Sequence, residues 1–161
     1  MDAERLIAAG RVALARSGAA LDVVAEAWQA QALAQAIGDQ LALYGPKELR
    51  TEARDLAETG ARGGALPEHP SLRDGGIRAA RLTTVTDARS ALTGLGMLLG
   101  EAGIALVSVA CGTDEEGLYW QCIEAIDAAD ESNDRVHGML RQLTARDEIR
   151  ERDVEKEKEM G

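Results

Sequence analysis

The chain has 161 residues, the usual length of one domain and enough to bury roughly two thirds of its unfolded surface. Its 28 Asp and Glu residues outnumber 18 Lys and Arg, for a net charge of -10; such a surface repels phosphate backbones and argues against nucleic acid as a partner. Aromatic residues make up only 2% of the chain and Phe is missing, so the core must be built from Ala, Leu, Ile and Val, and Ala and Leu head the helix propensity scale.

Charges run through "MDAERLIAAGRVALARSG" where a signal peptide would be apolar, so a cytoplasmic location is expected. From about Ala3 to Ser17, Leu6, Ile7, Val12 and Leu14 recur at helical spacing, and Gly18 is placed to end the helix in the left-handed conformation. Ala20 to Tyr44 reads as a second, longer helix with Leu21, Val24, Trp28, Ile37, Leu41 and Tyr44 near one face, closed by Gly45 and Pro46. Pro46 suits the first turn of a third helix, whose Leu49, Ala53 and Leu56 form a narrow stripe among charges; a surface position is expected for it.

Residues 60–81 are rich in Gly and Pro and read as a long loop. Arg62, Arg73, Arg78 and Arg81 make it locally basic, a pattern that could attract an anionic ligand or an acidic surface of another copy, although ordinary loop solubility is the favoured explanation. Ala91 to Cys111 is apolar almost all round, with Glu101 its one charge. Three readings compete there. It is nearly long enough for a membrane span; "IALVSVA" has the β-branched content of a strand; and Gly94, Gly96, Gly100 and Gly103 would give neighbours room against a buried helix. The glutamate and the acidic flank argue against the span, and no sister strands accompany the second. The favoured reading is the central helix of a bundle, buried on most sides.

Thr113 and Glu116 have capping-box spacing at the start of a last helix. On a helical wheel Leu118, Cys122, Ala125, Ala129, Val136, Leu140 and Leu143 form its core face, and Trp120, Ile123, Glu124, Asp127, Asp130, Asp134 and His137 lie opposite. Residues 144–161 mix charges of both signs, as a solvated helical extension or a disordered tail would.

The chemistry-bearing residues do not assemble into a motif. Asp130, Asp134 and His137 are spaced to share a helix face and are of metal-binding type, but they point away from the core, and His69 in the loop is the only other histidine. Glu52 with Asp55, and Glu124 with Asp127, repeat the Glu-x-x-Asp spacing of the all-α nucleoside triphosphate pyrophosphatases. The third glutamate of that family's second motif is missing after Glu115 and Glu116, so a divalent-metal enzyme on these four carboxylates is the alternative reading only. Cys111 and Cys122 lack C-x-x-C spacing and a nearby histidine, and buried, reduced thiols are expected. No phosphate loop is present, and no cofactor is expected. Trp120 and Ile123, with Tyr119 and Ile126 beside them, make the last helix apolar on the wrong side. A chain this poor in aromatics is expected to bury them, with Trp28 as the natural neighbour; otherwise the patch faces a partner.

The segments "VAEAWQAQALAQAIG", "ARSALTGLGMLLGEAGIALV" and "GTDEEGLYWQCIEAIDAADES" resemble a family of small, uncharacterised actinobacterial proteins carried as a domain of unknown function. The similarity spans about Met1 to Leu143, implies a cytoplasmic location, and brings no activity or site residue with it.

The expectation is thus an all-α, antiparallel bundle of four to five helices over residues 1–143, with the 60–81 loop and a charged extension over 144–161. Its expected role is non-catalytic: a protein-interaction or regulatory protein, acting on a protein partner or as a homodimer rather than on nucleic acid or a membrane. The candidate face is Tyr119, Trp120, Ile123, Asp127, Asp130 and Asp134.

Overall fold

The computed structural model describes residues 1–63 and 76–161. Within them the chain forms five α-helices: α1 (Ala3–Arg16), α2 (Ala20–Tyr44), α3 (Arg50–Gly63), α4 (Ala88–Gly112) and α5 (Glu116–Met160), with single 3-10 turns at Lys47–Leu49 and Arg78–Arg81. The expected all-α bundle is what forms. The stretch that competed as a strand, Ile104 to Ala110, is helical, and the extended pairing among the described residues is one isolated bridge between Asp2 and Thr84. Most of the expected 60–81 loop, including His69 and Arg73, lies outside the described residues; its first residues belong to α3 and its last to the second 3-10 turn.

Local chemistry sets the helix ends. The Asp2 side chain accepts from the Arg5 amide at 2.9 Å and caps α1, and Asp87 accepts from the Ser90 amide at 3.1 Å and caps α4. Two expected ends differ. Gly18 is not left-handed: α1 stops at Ser17, whose backbone is extended and whose hydroxyl donates to the Ala13 carbonyl at 2.8 Å. Thr113 makes no capping box, because it still closes α4 with extended backbone; its Oγ1 accepts from the Glu115 amide at 3.1 Å, and α5 begins at Glu116.

The centre of the bundle is α2, not the Ala91–Cys111 segment. Thirteen of its residues are buried against eight in α4, and it touches all four other α-helices. Val24, Trp28, Ile37 and Leu41 sit in the core as expected, whereas Leu21 and Tyr44, at the two ends of α2, project into solvent. Along α3, Leu56 and Ala53 are joined in the interior by Ala57, Thr59 and Gly60, a wider stripe than the sequence suggested. The reason is a close backbone approach. A Cβ on Gly38 would stand 2.7 Å from the Ala57 nitrogen, and one on Gly60 would stand 2.7 Å from the Gln35 nitrogen, so two glycines let the antiparallel helices touch main chain to main chain.

A strap crosses the bundle from Gly76 to Asp87. Gln29, buried on α2, donates to the Gly76 carbonyl at 2.9 Å and accepts from the Arg78 amide at 3.0 Å. The Arg78 guanidinium pairs with Glu26. The amino terminus donates to the Arg81 carbonyl at 2.8 Å and the Thr83 amide donates to the Met1 carbonyl at 3.0 Å. Arg62 pairs with Glu131 at 3.1 Å, so of the basic residues assigned to the loop Arg78 ties the strap to α2 and Arg62 ties α3 to α5.

Against α4 the fold is one-sided. Gly94 faces Ile7 and Gly96 faces Asn133 and Val136, but Gly100 and Gly103 face open space. Met97, Ile104 and Val107 are 49%, 72% and 46% exposed. Glu101, the lone charge, forms a bidentate pair with Arg11, with oxygen to nitrogen distances of 2.6 to 3.1 Å. α4 is the one helix among the described residues long and apolar enough to cross a membrane by length and composition, yet only 28% of its most apolar stretch is buried.

Candidate functional site

The outward side of α5 follows from its inward one. Cys122, Ala125, Ala129, Ser132, Val136, Met139 and Leu143 are buried and recur at helical spacing. Their opposite is a strip in which Tyr119, Trp120, Asp127, Asp130 and Asp134 are exposed and Ile123 is half-buried. Sixteen residues of helix bring these six side chains onto one strip about 22 Å long at 1.5 Å per residue.

The burial expected for Trp120 does not occur. Trp120 is 56% exposed, and its ring meets Tyr119 edge to face with centroids 5.3 Å apart and planes at 78°. Trp28 is 8% exposed and lies in the core, not against Trp120. It borders a shallow hollow of about 380 Å³ shared with Thr59, Arg62, Glu124, Asp127 and Glu131. Three of the four aromatic side chains, Tyr44, Tyr119 and Trp120, are therefore displayed rather than packed.

The four carboxylates of the metal alternative do not converge. Glu52 accepts from Gln142 at 2.7 Å and Asp55 faces Arg135 at 3.9 Å, both toward the later part of α5. Glu124 and Asp127 lie on its first turns. Eight residues separate Asp127 from Arg135, about 12 Å of helix, several times a metal-ligand distance. Asp130, Asp134 and His137 are exposed on one side of α5, and no group of three or more His, Cys, Asp or Glu side chains among the described residues is arranged around a cation position.

The thiols divide. Cys122 is buried, and burial pushes its pKa up, disfavouring the thiolate. Cys111 was expected to be buried too, but it sits on the outward side of α4 and is exposed, because that helix lacks a layer there.

Periodicity did not disclose a buried polar contact: the Ser132 hydroxyl donates to Gln31 Oε1 at 2.7 Å, both side chains inside the bundle. The glutamines of α2 were legible in the sequence only as polar interruptions.

By architecture the chain is a small all-α bundle with an exposed aromatic and acidic strip on its last helix. It belongs to the family of unknown function DUF6099, whose match covers residues 1–142. No curated protein and no solved structure matches it.

Proposed function

We propose that this is a non-catalytic, cytoplasmic protein-interaction or regulatory protein that captures a protein partner through the outward strip of α5. The observation that carries the reading is the exposure of Trp120 against Tyr119 in a chain with four aromatic residues. Tyr and Trp are the side chains that most often dominate binding energy at protein interfaces. Leaving a large apolar side chain in water forgoes about 1.5–3 kcal/mol that burial would supply. Below the aromatic pair, Asp127, Asp130 and Asp134 continue the strip with negative charge, so a complementary partner presents an apolar pocket edged by cationic side chains.

The test is affinity purification with cross-linking from the native cell, comparing the unsubstituted chain with Trp120→Ala. The variant is expected to lose the captured protein while melting at the same temperature, since Trp120 is outside the core. Equal capture by both chains would remove the reading. The divalent-metal alternative on Glu52, Asp55, Glu124 and Asp127 makes the opposite demand: magnesium or manganese would have to raise the melting temperature.

A further inference from the structure

The outward positions of α4 are Thr93, Met97, Gly100, Ile104, Val107 and Cys111, separated alternately by four and three residues. This is the seam spacing of paired helices, and it carries no charge in a chain that is 29% charged. We infer that this face binds a second copy of the same chain, α4 against α4, antiparallel about a twofold axis level with Ala102.

Three observations select that occupant. In the antiparallel register Ile104, the most exposed large apolar side chain of the face, stands against the second copy's Gly100, where a Cβ would meet nothing within 4 Å. Met97 then meets Val107, and Thr93 meets Cys111. A parallel register would set Gly100 against Gly100 and leave a void, which close-packed interfaces avoid.

Charge is the second. Two copies each carrying -10 repel, so they can meet only where carboxylates are absent or neutralised. The α4 seam has none, and at its rim Glu101 is already paired with Arg11. The α5 strip, with Asp127, Asp130 and Asp134, would set like charges against each other. The same arithmetic disfavours a lipid surface, since interfacial helices carry Lys and Arg on their flanks, and a membrane-spanning α4 would have to leave its eight packed residues in the bundle.

Area is the third. The seam is about 27 Å long and one helix, about 10 Å, wide, a footprint near 300 Å², whereas a stable pair buries about 800 Å² per partner. Neighbouring rows must join. The Arg89–Asp147 pair and the packing of Gly96 on Asn133 and Val136 fix the α4–α5 register, and the half-buried Val109 and Ile126 extend the apolar surface toward α5. An interface of this size gives a pair that dissociates on dilution.

The inference rests on the reading that the chain acts through protein contacts, but on a different face, so the two fail separately. Sedimentation equilibrium of the full chain should give twice the chain mass at about 100 µM and fall toward the single mass near 1 µM, the range expected for a small interface. Ile104→Glu should stay at the single mass at both concentrations with an unchanged melting curve, because Ile104 is mostly in solvent. Oxidation should link two copies of Thr93→Cys through the introduced thiol and the second copy's Cys111, which lie about 27 Å apart within one chain and cannot pair there; the unsubstituted chain should stay unlinked. A single mass throughout overturns the inference, as does a pair that survives Ile104→Glu. Linkage of the unsubstituted chain through Cys111 would mean a parallel register and overturn it too. Flotation of a monomeric chain with anionic vesicles, lost in Ile104→Glu, would assign the face to lipid instead. Trp120-dependent capture persisting in a monomer would sink this inference and leave the proposed function standing.

Discussion

Ser132 sits at 0% exposure with its hydroxyl committed to Gln31, and removing one side of such a pair strands the other. Ser132→Ala should cost about 1–3 kcal/mol, the penalty for an unsatisfied buried polar group. Pairing it with Gln31→Leu should recover part of that loss. Denaturant unfolding of the single and the double variant checks both signs. Neither residue announced itself in the sequence, since serine and glutamine on helices are usually solvated. Trp120 misled in the other direction: its position opposite the core was read correctly from the wheel, but aromatic scarcity favoured burial and tertiary packing decided otherwise. Val24, Ile37 and Leu41 were legible because apolar side chains recurring on one helical face have few places to go but inward.

Glycines on two helices should respond to the same substitution with opposite sign. Gly38→Ala drives a Cβ into the backbone of α3, 2.7 Å from the Ala57 nitrogen and 2.8 Å from the Ala53 carbonyl. The helices must separate, at a cost of about 1–3 kcal/mol that outweighs the gain of up to about 1 kcal/mol in helix propensity. Gly100→Ala meets open space and should keep that gain, raising the melting temperature of the isolated chain. Thermal unfolding of the pair decides; a stabilising Gly38→Ala would mean that α2 and α3 are not in backbone contact. Helix extents were largely readable, with α2 running from Ala20 to Tyr44 as expected. The outward face of α4 was not, because a segment apolar on all sides carries no periodic signal. Its exposure depends on which helices happen to cover it.

The whole chain converges on the start of α4. The amino terminus is hydrogen-bonded to the strap just before it, Asp87 caps it, and Asp147, far along α5, pairs with Arg89 in its first turn. The amide and hydroxyl of Ser90 hold the Asp87 carboxyl below its ordinary range, and the Arg89 guanidinium does the same for Asp147. Groups with lowered folded pKa values contribute stability that is present above the unfolded carboxylate value of about 3.9 and disappears as pH falls through the folded values. The net charge of -10 acts in the opposite sense, because protonating unpaired carboxylates relieves repulsion. The comparison that isolates the specific contacts is therefore between chains. Asp87→Ala combined with Asp147→Asn should melt lower than the unsubstituted chain near pH 6, and the gap should close as the pH approaches 2. A constant gap would assign their effect to packing rather than to ionisation.

α5 runs for 45 residues, about 68 Å at 1.5 Å per residue, and its side chains beyond Asp147 are all exposed. A rod of that length attached to a small bundle diffuses and elutes like a heavier particle. Gel filtration calibrated on spherical standards would overstate the mass and make even a single chain elute like a dimer, so light scattering or sedimentation equilibrium is the fit instrument. Shortening the rod after Ile149 would shrink the hydrodynamic radius while leaving the true mass ratio, and any pairing through α4, untouched.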